Sequence, residues 1–81
     1  MVDKNTRYMR EGLLAERKRA IGKLEIQADR CRKDVNIYLF SSDGIKGMEF
    51  EHAKQAFEEL TQVVEEYKRV TEEIKRIEAE L

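Results

Sequence analysis

The sequence predicts an all-α fold: an antiparallel two-helix coiled-coil hairpin that dimerises into a four-helix bundle. Three observations carry this. Apolar residues recur every 3.5 positions along the second half of the chain. A similar stripe, less regular, runs along the first half. The one stretch with turn chemistry, "LFSSDGIKGMEF" at residues 39–50, lies at the midpoint.

The second helix is the most strongly marked. Ala53, Ala56, Leu60, Val63, Tyr67, Val70, Ile74, Ile77 and Leu81 alternate in steps of three and four, a coiled-coil seam held for four heptads. With Leu60 as position a, the g positions from Glu59 onward are Glu59, Glu66, Glu73 and Glu80. Glu65 precedes Arg69 by four and Glu72 precedes Arg76 by four, the favourable order for pairs on a helix surface.

The first helix carries Leu14, Arg17, Ile21, Leu24, Ala28, Cys31, Val35 and Tyr38 in the same alternation, with Arg17 as the one polar member. Its stem can lie in the seam while its guanidinium reaches Glu66 or Glu73. Gly12 and Gly22 weaken the helix by roughly 1 kcal/mol each relative to alanine. Gly22 falls off the seam, where it either leaves room for a neighbouring helix or is a tolerated surface glycine. Before Gly12 the periodicity fades, which predicts a frayed N-terminal arm.

Between these segments, "SSDGIKG" reverses the chain, because Asp43-Gly44 is a turn dipeptide and Gly44 and Gly47 tolerate positive φ. The boundaries follow: one domain over 1–81, with a helix at about 8–40, a turn at about 41–48 and a helix at about 49–81. Seam layers should pair residues whose numbers sum to about 88, so that Tyr38 meets Phe50 and Ala28 meets Leu60. A straightened turn with arms exchanged between two chains would bury the same faces.

Composition narrows the function classes. A chain of 81 residues buries little core and needs a staple. One cysteine, Cys31, allows no intrachain disulfide, and one histidine, His52, allows no His/Cys cage. Oligomerisation remains. No apolar run is long enough to span a bilayer, no hydrophobic signal region stands at the N-terminus, and a lone thiol agrees with a reducing, cytoplasmic setting. The net charge of −1 hides an asymmetry: residues 1–40 hold ten Lys/Arg and six Asp/Glu, residues 41–81 six and eleven. The halves complement each other, which favours pairing with each other or with copies over binding one large charged partner.

No constellation for chemistry emerges. Glu49-x-x-His52 has the spacing used in carboxylate-bridged di-metal bundles, but it sits beside the turn and the first helix offers no inward carboxylate opposite it. Cys31 has cationic neighbours, yet a thiol on the seam reads first as a small hydrophobe. No nucleophile–base–orienter set and no phosphate loop is present, so the chain is not read as an enzyme, and no cofactor is expected. The basic runs 16–20 and 29–33 supply the alternative of a nucleic-acid-associated protein using the first helix. Overall acidity and the lack of interleaved aromatics weigh against it. The acidic polar face of the second helix excludes a membrane-surface role.

The expected function is a protein–protein interaction or assembly module acting as an adaptor, accessory or regulatory subunit. Its partner would be itself and another protein. The expected interface lies near the turn, where apolar side chains stand off the seam: Ile26, Ile37, Phe40, Met48, Phe57 and Val64.

Overall fold

The computed structural model describes residues 4–81. Helix α1 spans Lys4–Leu39 and helix α2 spans Phe50–Glu80. A single 3-10 turn, Gly44–Gly47, lies between them. The two helices pack antiparallel into a rod of 66 × 14 × 13 Å, with no strand among the described residues.

The reversal is built from backbone geometry. Gly44 takes φ 68°, the left-handed region that a Cβ disfavours. Gly47 approaches Ser41 so closely that a Cβ there would lie 2.0 Å from the Ser41 hydroxyl oxygen. That oxygen accepts a hydrogen bond from the Asp43 N–H at 3.0 Å. The loop is closed by the Glu49 N–H donating to the Tyr38 carbonyl at 2.9 Å. Glu51 follows in the first turn of α2, where the helix dipole favours an acid. Gly12 and Gly22 have open space where a Cβ would stand, so neither marks a close helix approach.

Of the N-terminal arm that the sequence predicts to fray, residues 1–3 lie outside the described residues and the remainder is helical from Lys4. The Arg7 guanidinium donates to Glu11 at 3.3 Å, and Arg10 reaches Glu80 at the far end of α2, also at 3.3 Å.

Three of the four cross-helix ion pairs fall one to two positions beyond the sum of 88, while Lys18–Glu78 falls eight beyond it. Arg30 meets Glu59, Arg17 meets Glu73 and Arg10 meets Glu80. The Tyr38 ring stacks on His52, with ring centroids 5.3 Å apart, rather than on Phe50, which stays exposed. The connection takes ten residues, 40–49, against the eight the sequence suggests.

The buried core is correspondingly narrow. On α2 it consists of Ala53, Ala56, Val63, Val70 and Ile77, four of them at successive d positions. On α1 it is Cys31, only 1% exposed. The a positions Leu60 and Ile74 are half-buried and Tyr67 is exposed. Two helices meet along one line, so one apolar column closes fully and the next is left partly open.

Candidate interaction surface

The two flanks of the seam differ. On one flank lies the g column of α2. Arg30 pairs with Glu59 at 3.7 Å, Arg17 with Glu73 at 2.7 Å and Arg10 with Glu80 at 3.3 Å. Arg69 holds Glu66 from the same helix and also donates to Glu73 at 2.9 Å. The hydrogen bond from Arg69 keeps the Glu66 carboxyl below the usual carboxylate range, and this outweighs its partial desolvation. This flank is closed by charge pairs.

The other flank carries the e column of α2, which changes character along its length: Phe57, Val64, Thr71, Glu78. Its neighbour on α1 is the column Leu39, Arg32, Glu25, Lys18. At the termini end the flank is bridged by Lys18 and Glu78 at 3.9 Å. Nearer the turn no ion pair crosses it among the described residues, and a groove opens. Its middle section has a volume of about 420 Å³, with Leu24 and Ala28 on one wall, Leu60, Val64 and Tyr67 on the other, and Glu25, Asp29 and Arg32 at the rim. Val35, Leu39, Phe50, Ala53 and Phe57 extend it to the turn. From Phe50 to Tyr67 the groove runs for roughly 26 Å at the rise of an α-helix.

Of the six side chains expected at an interface, Phe57 lines the turn end of this groove and Val64 its middle section. Phe57 is 59% exposed. Ile26 lies elsewhere on α1, exposed beside Lys23, Gln27 and Arg30. Ile37 and Phe40 are exposed at the turn-proximal end of the chain, Phe40 at 79%. Met48 is half-buried, its N–H donating to the Ile45 carbonyl at the close of the turn. Leu24, Ala28, Leu60 and Tyr67, assigned to the seam by periodicity, form the groove walls. Phe50 belongs with them at the turn end. The signal for these was present as two adjacent columns, a and e, that are both apolar only between Phe50 and Tyr67.

Cys31 is sealed between the helices. Burial pushes its thiol above the ordinary range, the Glu59 carboxylate adds to this, and Arg30 opposes it. His52 stands exposed against Tyr38, and among the described residues no three His, Cys, Asp or Glu side chains gather as a metal set. The basic residues are largely engaged. Arg10, Arg17, Lys18 and Arg30 bind glutamates of α2, and Arg32 and Lys33 both hold Asp29, whose carboxyl they keep below its usual range. No described helix is long and apolar enough to cross a membrane.

The fold and its surface thus define a helical hairpin with one ionic flank and one open apolar flank. No family model matches the chain, and neither a curated protein nor a solved structure matches it.

Proposed function

We propose that this protein is a non-catalytic interaction and assembly module, a self-associating hairpin that forms a homodimeric four-helix bundle and serves as an adaptor, accessory or regulatory subunit. The open groove between Phe50 and Tyr67 carries this reading. Water against Phe57, Val64, Leu60 and Tyr67 is unfavourable, and covering one such side chain is worth roughly 1.5–3 kcal/mol. A handful suffices to offset the entropic cost of association. The engaged arginines and lysines of α1 support pairing within the chain over contact with nucleic acid. A lone buried thiol suits a cytoplasmic setting. Light scattering at about 100 μM tests the reading: a dimer has about twice the 9.6 kDa mass of the chain, and a species at 9.6 kDa overturns it.

A further inference from the structure

We infer that the groove is filled by the same groove of a second copy, with the two hairpins pointing in opposite directions. This rests on the self-association proposed above and adds its geometry. The two-fold axis would cross the rod between Ala28 and Asp29 on α1 and between Leu60 and Thr61 on α2.

Two columns edge the groove. On α2, Phe57 and Val64 are the apolar members; on α1, Glu25 and Arg32 are opposite charges at the same seven-residue spacing. A two-fold axis perpendicular to the rod lays α2 on the partner's α2 and α1 on the partner's α1, each pair antiparallel. Such an axis at the midpoint of Phe57 and Val64 sets Phe57 on the partner's Val64, and Val64 on the partner's Phe57. An axis at the midpoint of Glu25 and Arg32 sets each of these on its opposite charge, twice over. This is the reciprocity an isologous interface requires.

By the Arg30–Glu59, Arg17–Glu73 and Arg10–Glu80 pairs, the two midpoints agree in height to within about one position. Arg30 lies one and a half positions past the α1 midpoint, and Glu59 lies one and a half positions before the α2 midpoint. These two residues are paired across the hairpin at 3.7 Å, and the helices are antiparallel. One axis therefore satisfies both columns. Glu25 has no ion-pair partner among the described residues, so its carboxylate is free to take the partner's Arg32. The same axis places Phe50 by the partner's Thr71, and Leu39 under the stem of the partner's Lys18. At the outer edge, Lys54 falls near both the partner's Lys68 and the partner's Glu65, a set with one net positive charge on each side of the axis.

The alternative two-fold, parallel to the rod, would lay α2 on the partner's α1 with both turns at one end. Phe57 would then face the partner's Arg32 and Val64 the partner's Glu25. Phe57 would cover an Arg32 that keeps only Asp29, and Val64 would cover a Glu25 left without a partner, which is unfavourable. The groove also ends where the Lys18–Glu78 bridge crosses it, so full-length overlap covers no continuation of the groove beyond that point.

Distances between turns separate the arrangements. In the opposed dimer the two turns stand roughly 45 Å apart, from the helical rise either side of the axis. In the parallel dimer, or in one with straightened and exchanged arms, they lie within about 20 Å. Spin labels on a Cys31→Ala/Ser42→Cys variant that keeps the parent's mass should report the long distance. A short distance overturns the inference while leaving self-association intact, and a mass of 9.6 kDa removes both. Charge exchange gives a second readout. Glu25→Arg and Arg32→Glu should each weaken the dimer by about fivefold, in line with exposed ion pairs. The double exchange should restore it to within about twofold of the parent. Failure of the double variant to recover, with its helix content unchanged, overturns the proposed facing.

Discussion

Arg17 crosses the seam and donates from Nε to Oε2 of Glu73 at 2.7 Å. Glu73 is also held by Arg69, which in turn binds Glu66. A polar residue at a seam position of one helix is thereby tied to a chain of partners on the other. Sliding the helices by one heptad would offer Arg17 an equivalent acceptor, Glu66 or Glu80, so the pair ties the two helices together without by itself excluding that slide. A polar seam residue of this kind carries some cost in stability.

The pair is partly exposed, so its net contribution is small. Arg17→Leu should therefore leave stability within about 1 kcal/mol of the parent in urea denaturation, or raise it, because Glu73 retains Arg69 and the seam becomes fully apolar. Arg17→Glu should lower it by about 1–3 kcal/mol, since a second carboxylate would face Glu73 across a half-buried site. Equal denaturation midpoints for parent and Arg17→Glu would show that this contact is absent in solution.

The core prediction follows from burial. Val63 and Val70 are buried at successive d positions. Val63→Asp or Val70→Asp would place an unpaired carboxylate there, and either should abolish cooperative folding seen by circular dichroism. Arg19→Ala, on an exposed position, should shift stability by less than ~0.5 kcal/mol.

These targets also mark what the sequence could and could not reveal. The heptad pattern identifies Val63 and Val70 because their column is apolar throughout. It gives equal weight to Leu60 and Tyr67, which the structure leaves at the edge of a groove. Periodicity defines a stripe, whereas the width that a partner helix covers depends on the register and on the flanking columns. The Glu column was readable as charge, and its closing of one flank follows once Arg17 and Arg30 are placed opposite it. The layer at Tyr38 was out of reach for a different reason. Whether His52 or Phe50 stacks on it depends on how many residues the connection takes, which is ten rather than eight.

Glycine substitutions separate propensity from conformation. Gly22 is helical with open space at its Cβ position, so Gly22→Ala should stabilise by about 0.5–1 kcal/mol. Gly44 holds φ 68° in the turn, and Gly44→Ala should destabilise by about 1 kcal/mol. Thermal melts of the two variants should move in opposite directions. A gain for Gly44→Ala would mean that the turn does not hold this left-handed residue in solution.

Cys31 gives a pH dependence with a defined sign. Its thiol is raised in the folded state, first by burial and then by the Glu59 carboxylate. A raised pKa means that the folded chain favours the neutral thiol more than the unfolded chain does. The stability this supplies is fully present below the ordinary thiol range, at about 8.5. It is lost as pH rises from there through the folded value, because the unfolded thiol ionises and the folded one resists. The paired carboxyls of Asp29 and Glu66 act in the opposite sense. Their lowered values supply stability above the usual carboxylate range, and it fades as pH falls through and below about 4. Stability should thus decline on both sides of neutrality, with different groups responsible on each side. Comparing parent with Cys31→Ala isolates the alkaline limb: between about pH 8 and 10 the parent should lose stability more steeply than the variant. Ellman's reagent gives the companion measurement, since a thiol only 1% exposed should react at the rate of chain opening rather than at that of a free thiol. Prompt labelling at neutral pH, with the helix signal intact, would show that the seam at Cys31 is open to solvent.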